Sequence, residues 1–262
     1  HLLKVAQKFQ LTPFMLLHAV LGLVLSNHSG STDVVVGTPV ANRRLQVLEP
    51  LIGFFVNTLV LRTKSDFDSL GEYLAHVKER NLEAQANQDI PFEQCVEICK
   101  CPRTTKHTPL FQILFSMNNT QVSNTKLESL TLSPLTDDKC IAKFDLTINA
   151  EVSNDLVALS WVYDTSLFSR PHIEQISQHF RQLSLHLLRQ DSADTPLQQL
   201  CIFNDVDRME LAQLGQGQHV DIANSGLLHE LFSEQTINKP KAVSIEADGQ
   251  QWNYEQVNAA AN

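Results

Sequence analysis

The histidines and cysteines of this sequence are the residue types best suited to acid–base, nucleophilic or metal chemistry. The chain has ten histidines and five cysteines. No two histidines are adjacent, and no Gly-x-Ser-x-Gly run or cysteine–histidine arrangement indicates a nucleophile beside a base. The residues by themselves therefore predict no catalytic group.

Individual histidines are predicted to be structural. His18 lies within an apolar helical stretch, which favours a buried histidine with satisfied hydrogen bonds. The other histidines at helical positions have mixed neighbours and are predicted to lie at the surface. They are His76, His172, His179 and His186.

Cys95, Cys99 and Cys101 form a short cluster, with His107 nearby. A zinc site normally needs paired Cys-x-x-Cys spacings or a second pair of ligands, and neither is present. We therefore expect no metal site, and interpret the cysteines as small buried apolar side chains at a helix end. An odd number of cysteines without an export signal is typical of a reducing cytoplasm.

The overall composition is that of a globular protein. Of 262 residues, 43% are hydrophobic and 19% are charged, which excludes a disordered or low-complexity chain. The formal net charge of -9 argues against a nucleic-acid-binding surface and against a polybasic membrane anchor. The strongest apolar run, residues 15–25, is too short to span a bilayer.

The first elements along the chain are a helix and two strands. Thr12 and Pro13 predict the start of a helix that runs to about Ser26. The β-branched run at 33–40 predicts a strand that leads into a loop. The nearly unbroken apolar run at 51–61 predicts a second strand, covered on both faces.

Helices and strands continue to alternate along the chain. Asp66 is predicted to cap a helix that ends before Pro91. Three strand-like stretches follow, at 110–117, 144–150 and 156–163. Ser169 is predicted to cap an amphipathic helix. This mixture predicts an α/β lobe of two or three layers.

Domain boundaries are predicted from changes in this pattern. Residues 1–189 form the lobe, and residues 190–226, rich in Asp, Ser, Gln and Gly, form a linker. Residues 227–262 begin a new unit that is too short to bury a core alone. Both ends of the chain fall in helical stretches, so we expect a piece of a longer protein.

Four stretches, in order, resemble core motifs of the condensation domains of nonribosomal peptide synthetases. They are DVVVGTPVANR at 33–43, IGFFVNTLVLR at 52–62, NQDIPFE at 87–93 and RTTKHTPLF at 103–111. The third departs from the family at Asn87, where a histidine is usual. The resemblance covers residues 1 to about 204. Two later stretches, LHELF at 228–232 and WNYEQVN at 252–258, are similar to the opening of an adenylation domain.

The resemblance implies a chloramphenicol-acetyltransferase-like fold, in which two similar α/β lobes enclose a tunnel. This chain would be the C-terminal lobe, a two-layer α/β sandwich with a mixed sheet. Upstream and downstream peptidyl carrier domains would deliver thioesters on phosphopantetheine arms, and the fragment itself would bind no cofactor. Its other partners would be the N-terminal lobe and the adjoining adenylation domain.

The catalytic signature of that family, His-His-x-x-x-Asp-Gly, is carried on the N-terminal lobe and is absent from this sequence. The fragment alone is therefore expected to be inactive and to form part of the tunnel used for amide-bond formation. Carried over position by position, the resemblance implies a set of tunnel residues. They are Gly37, Thr38, Asn42, Arg43, Asn57, Thr58 and His107.

Asn57 places an amide in an otherwise apolar strand, where it needs a hydrogen-bond partner. That partner is either a substrate or water in the tunnel, or neighbouring backbone. Two alternatives to amide formation also remain. One is a noncatalytic carrier-docking module, and the other is an epimerisation or cyclisation relative of the same fold.

Overall fold

A five-stranded sheet lies at the centre of the first of two compact units, His1–Arg208. The computed structural model describes residues 2–101, 104, 107–118, 141–153, 156–189, 192–200, 202–217 and 227–262. The elements that begin in this unit are α1 (Leu2–Lys8), α2 (Pro13–Ser29), β1 (Asp33–Val40), β2 (Asn57–Lys64), α3 (Leu70–Ala86), α4 (Phe92–Ile98), β3 (Ile113–Asn118), β4 (Leu146–Val152), β5 (Val157–Tyr163), α5 (Arg170–Arg189) and α6 (Asp205–Leu214).

The strand order across the sheet is β2-β1-β3-β4-β5. β1 is antiparallel to β2 and parallel to β3, β3 is parallel to β4, and β4 is antiparallel to β5. In β4 the buried side chains of Leu146, Ile148 and Ala150 alternate with less buried ones, so one face of the strand packs on the core. The predicted α/β lobe with a mixed sheet is confirmed.

α2 is the central helix of the core, and local residues determine both of its ends. The Oγ1 of Thr12 accepts a hydrogen bond from the Met15 amide at 3.2 Å, and Gly30 ends the helix with a φ of 66°. All residues at 15–25 are buried. Among the described helices, none could cross a membrane alone; α1 and α2 reach the length and composition only as a pair bent by 90°.

The segment at 51–56 is not part of a strand. β2 begins only at Asn57, and the side chains of Ile52 and Phe54 are 105% and 93% exposed. The prediction of a strand covered on both faces is therefore wrong: this half forms no strand, and in β2 only the alternate residues Leu59, Leu61 and Thr63 are buried. The apolar residues at 51–56 have no covering element among the described residues, and apolar character alone does not identify which partner covers a side chain.

α3 begins later than predicted. Its cap is Ser69, whose Oγ accepts a hydrogen bond from the Glu72 amide at 3.3 Å, while Asp66 lies in the preceding loop. Ser69 also forms an extended bridge with Pro196, so the helix cannot begin before Leu70. The prediction of Asp66 as the cap is therefore wrong.

The segment that follows α5 runs across the start of α3, and we call its described residues, 192–200 and 202–208, the strap. The amides of Leu70 and Gly71, in the first turn of α3, donate to the carbonyls of Thr195 and Ala193, each at 2.8 Å. Amides in the first turn of a helix have no hydrogen-bond acceptor within the helix, so the carbonyls of the strap serve as acceptors for α3.

The strap also completes the core of this unit. Leu197, Leu200 and Ile202 are 5–8% exposed and belong to the same hydrophobic cluster as α2 and α5. The region predicted to be a linker therefore begins with buried residues that pack on the lobe. Apolar periodicity does not identify these buried residues, because they are few and widely spaced in the polar stretch at 190–226.

The second unit, Met209–Asn262, contains a helix, a hairpin and a second helix. They are α7 (Leu228–Asn238), β6 (Val243–Ala247), β7 (Gln250–Asn253) and α8 (Tyr254–Ala261). Asp248 and Gly249 join the two strands with φ values of 49° and 74°, the backbone of a tight hairpin turn. Residues 227–262 thus fold as a helix, a two-stranded hairpin and a second helix.

Candidate functional site: a cavity at the ends of the parallel strands

A cavity of about 440 Å³ lies at the carboxyl ends of β1 and β3, beside the N-terminus of α2. Its described lining residues come from α2, α3 and the three neighbouring strands. They are Thr12, Pro13, Phe14, Thr38, Pro39, Val40, Leu59, Leu61, Asn81, Gln85 and Met117. None of these side chains is charged. The cavity therefore suits a neutral, largely apolar group with a few hydrogen-bonding positions.

Thr38 is the predicted tunnel residue that lines this cavity, and its side chain is buried. The sheet register places others beside it. Thr58 lies opposite Pro39, and Asn57 lies opposite Val40, in the antiparallel pair of β2 and β1. Four of the predicted positions, Gly37, Thr38, Asn57 and Thr58, are therefore brought together at one end of two adjacent strands.

Position 37 requires glycine because an aromatic ring occupies the space that a side chain would fill. A Cβ atom at this position would lie 2.2 Å from the Cζ atom of Phe111, far inside contact distance. Phe111 is itself buried and packs against the rings of Phe92 and Phe144, with centroids 5.6 and 5.4 Å away. The missing side chain of Gly37 thus makes room for Phe111 against the sheet.

Asn57 uses its whole amide to hold a neighbouring loop. Its Nδ2 donates to the carbonyls of Gln88 and Ile90, each at 2.8 Å, and its Oδ1 accepts from the Phe92 amide at 3.2 Å. Of the two alternatives for this residue, the structure has the one in which Asn57 bonds neighbouring backbone. The side chain ties the loop at 88–92 to the start of β2.

We expect Asn57→Asp to destabilise the chain by about 2 kcal/mol, because a carboxylate cannot donate to the two carbonyls it would face. Urea unfolding measures the loss, and amide hydrogen exchange at 88–92 should accelerate at the same time. Asn87→Asp is the matched control, since Asn87 donates one bond, to the Glu83 carbonyl, at an exposed position. Equal losses in the two variants would contradict the anchoring role.

Asn42 and Arg43 shape the segment that follows β1. Asn42 has a φ of 51°, a left-handed conformation that asparagine tolerates better than most residues. The Arg43 guanidinium lies 4.3 Å from the centre of the Phe55 ring and donates to the Leu48 carbonyl. Arg43 therefore folds this segment back on itself.

His107 is exposed and lies before β3. Its Nδ1 is 3.2 Å from the Thr108 carbonyl, a contact within its own loop. It is not among the described residues that line the cavity. The fourth motif, RTTKHTPLF, includes Arg103, Thr105 and Lys106, which lie outside the described residues.

His18 is buried, as predicted, and belongs to a hydrogen-bonded chain beside the cavity. Its Nδ1 lies 3.1 Å from the Asn81 Nδ2, and its Nε2 lies 3.4 Å from the Thr63 Oγ1. Burial lowers the pKa of His18 to about 4, so the ring is neutral at pH 7. The sequence analysis missed Asn81, although it continues the buried stripe of α3 four residues after Val77.

His179 is buried, so the prediction that it lies at the surface is wrong. Its position three residues after Ile176 and four before Leu183 places it on the buried stripe of α5. Its Nδ1 contacts the Nε2 of His28 at 2.8 Å, and its Nε2 lies 3.6 Å from a carboxylate oxygen of Asp207 in the strap. Burial lowers the pKa of His179, and Asp207 opposes that shift.

Among the described residues, no three or more His, Cys, Asp or Glu side chains lie close enough to hold a metal ion. Cys95 and Cys101 are half-buried and Cys99 is exposed, and all three are free thiols. The interpretation of this cluster as buried apolar side chains is therefore wrong for Cys99. The helix α4 is short and only its Val96 is buried, so Cys99 at its C-terminal end is left exposed.

Comparison with known proteins identifies the family. The condensation-domain profile matches residues 1–212. Tyrocidine synthase 3 of Brevibacillus parabrevis is 32% identical over 260 residues, and malpinin synthetase of Mortierella alpina is 35% identical over 260 residues. Each alignment covers 99% of this chain, and the chain spans only 4% and 3% of these relatives.

Two solved structures show the same fold. A holo four-domain nonribosomal peptide synthetase bound to AMP and glycine superposes with a TM-score of 0.73 at 21% identity, covering 98% of this chain and 20% of that one. The condensation domain of the monacolin K polyketide synthase MokA gives a TM-score of 0.64 at 20% identity, covering 75% of this chain and 45% of that one. The predicted chloramphenicol-acetyltransferase-like α/β fold is confirmed. The chain belongs to the condensation-domain family of nonribosomal peptide synthetases.

Proposed function

We propose that the first unit is the C-terminal lobe of an amide-forming condensation domain and that its cavity forms part of the substrate tunnel. The similarity to the MokA condensation domain supports a single lobe, because three quarters of this chain corresponds to less than half of that chain. The strap packs on the lobe and extends it beyond α5 to about residue 208.

The observation that carries this proposal is the uncovered apolar segment at 45–56. Six of its apolar side chains are 49% or more exposed. They are Leu45, Val47, Leu51, Ile52, Phe54 and Val56. Exposed apolar side chains concentrated in one segment often mark an interaction site. We assign it to contact with the N-terminal lobe. The segment joins β1 to β2, so that contact would border the strand ends where the cavity opens.

The chemistry of the cavity supports passage of a carrier-bound thioester. A phosphopantetheine arm is a long chain with two neutral amides between its phosphate and its thioester, and the described lining is uncharged and largely apolar. In this proposal the chain binds no cofactor of its own. Upstream and downstream carrier domains bring the arms, and the N-terminal lobe supplies the His-His-x-x-x-Asp-Gly motif that this sequence lacks.

For residues 227–262 we propose the start of an adenylation domain, joined to the lobe by a linker. Alignments with the peptide synthetases continue past residue 212 and cover 99% of the chain. For the location of the protein we propose the cytoplasm. The free thiols of Cys95, Cys99 and Cys101 support a reducing compartment.

Reconstitution tests the proposed function. The chain is mixed with a separately expressed N-terminal lobe of a condensation domain and with carriers loaded with donor and acceptor, and amide product is measured by mass spectrometry. We expect product from the mixture and none from the chain alone. Product from the chain alone, or none from any pairing in which the two lobes associate, would overturn the proposal.

A pair of variants tests the assignment of the apolar segment. Phe54→Asp should weaken association with the N-terminal lobe and reduce product formation, because it places a charge in the surface to be covered. Ile98→Asp is the matched control, since Ile98 is exposed on α4, outside this segment. Unchanged association of Phe54→Asp would reject the assignment. Carrier binding without product would instead favour the alternative of a docking module.

A further inference from the structure

The side-chain oxygen of a buried asparagine on the wall of the cavity accepts no hydrogen bond from a described residue. Asn81 is 1% exposed and lines the cavity from α3. Its Nδ2 donates to the Val77 carbonyl at 2.7 Å and lies 3.1 Å from the Nδ1 of His18. Both amide hydrogens are thus used, and no described residue donates to its Oδ1. An amide oxygen on a cavity wall can accept a hydrogen bond from a bound group.

The orientation of this amide is determined by its neighbours. The Val77 carbonyl can only accept, so the atom of Asn81 that faces it is the nitrogen. His18 must then accept at Nδ1, and its proton lies on Nε2, facing the Thr63 Oγ1. His18 and Val77 therefore leave the Oδ1 of Asn81, a residue that lines the cavity, as its atom free to accept a hydrogen bond.

The surroundings of this oxygen select the group that would bind it. Apolar walls are supplied by Phe14, Leu59, Leu61 and Met117. The N-terminus of α2 adds a partial positive charge, and none of the described lining residues is a carboxylate that would balance a bound cation. A neutral N–H donor on an otherwise apolar ligand meets these conditions, whereas an ammonium group does not.

We propose that Asn81 is a substrate-binding residue of the tunnel, whose Oδ1 accepts a hydrogen bond from a neutral N–H group of a carrier-bound substrate. This inference rests on the proposed function and deepens it. The N–H group has two possible sources. One is an amide of the pantetheine arm, and the other is the unprotonated α-amine of the acceptor amino acid. His18 acts through Asn81 as a positioning residue.

Binding of small probes to the full 262-residue chain tests the proposal. Pantetheine carries amide N–H groups and no amine, and leucine methyl ester, at a pH where it is uncharged, carries an amine and no amide. Each is titrated into the ¹⁵N-labelled chain and followed by NMR. We expect one probe to saturate and to shift the Asn81 side-chain signals, which identifies the source of the donor.

Asn81→Leu removes the hydrogen-bond acceptor and keeps a similar side-chain volume. We expect it to lower the affinity for that probe about tenfold. Asn27→Leu is the matched control, because Asn27 makes the same kind of bond, to the Leu23 carbonyl at 2.8 Å, away from the cavity. It should bind like the wild type. Equal affinity of the Asn81→Leu chain, or no binding of either probe at millimolar concentration, would overturn the proposal.

If Asn81→Leu does not fold, the proposal is tested with the wild-type chain instead. Intermolecular NOEs from the probe to the Asn81 amide and to Leu59 and Leu61 would support the proposal, and NOEs confined to other residues would reject it. These binding experiments need neither carriers nor the N-terminal lobe. A probe that binds at Asn81 while reconstitution yields no amide would reject the proposed function and retain the site.

Discussion

Lowering the pH from 7 to 4 is expected to reduce the free energy of unfolding by about 3 kcal/mol through His18 alone. Burial lowers the pKa of this histidine from 6.5 to about 4 in the folded chain. Between these two values the unfolded chain binds a proton that the folded chain does not. The stabilisation is therefore fully present above pH 6.5 and is lost as the pH falls toward 4.

Urea unfolding at a series of pH values measures this effect. Burial also lowers the pKa values of His28 and His179, so they add to the loss in the same direction. The difference between the wild type and a variant isolates the share of His18. His18→Leu should be less stable at pH 7, since Asn81 and Thr63 lose a partner, and its stability should depend less on pH.

The control for this experiment is His107→Gln, which replaces an exposed histidine. It should keep the full pH dependence of the wild type. A His18→Leu chain that loses stability with falling pH as steeply as the wild type would show that this buried ring is not the group responsible.

Gly37→Ala is expected to destabilise the chain by about 3 kcal/mol, at the upper end of the usual cost of overpacking a core. The new Cβ would lie 2.2 Å from the Cζ and 2.3 Å from the Cε2 of Phe111. That ring cannot move aside easily, because it is buried against Phe92 and Phe144. Relief therefore requires β1 or the sheet around it to shift, next to Thr38 at the cavity.

A double-mutant cycle separates this clash from other effects of the substitution. Phe111→Leu removes the ring atoms that the new Cβ would meet, so we expect it to recover about 2 kcal/mol in the Gly37→Ala background. Gly30→Ala is the control, because Gly30 has a φ of 66° and nothing within 4 Å of its Cβ position. Its loss of about 1 kcal/mol comes from backbone strain and should not respond to Phe111→Leu. Additive losses at Gly37 would reject the clash.

The elements with strong local signals could be predicted from the sequence. α2 has a hydroxyl cap at Thr12, a proline at Pro13 and a glycine after its last turn, and each acts within a few residues of the chain. The buried stripe of α5 likewise follows from the spacing of apolar residues such as Ile173, Phe180 and Leu187. Local chemistry determines both helices, so both are predicted, although α2 continues to Ser29 rather than ending at about Ser26.

The features that depend on distant partners could not be predicted in the same way. The run at 51–61 is apolar throughout, yet only its second half pairs in the sheet, because pairing is determined by β1. Ser69 replaces Asp66 as a cap because Pro196, far along the chain, holds the approach to α3. The bonds of Asn57 to 88–92 and of His18 to Asn81 also join residues distant in sequence.

The strap determines where this lobe can be joined to a foreign sequence in a chimeric synthetase. A junction after Arg189 would give α3 a strap from another parent at a close contact, where a Cβ added at Gly71 would lie 2.9 Å from the Ala193 Cβ. A junction after Arg208 keeps α3 and its strap from one parent. We expect chimeras of the second kind to retain the stability of the parent lobe, and those of the first kind to need compensating changes at these two positions.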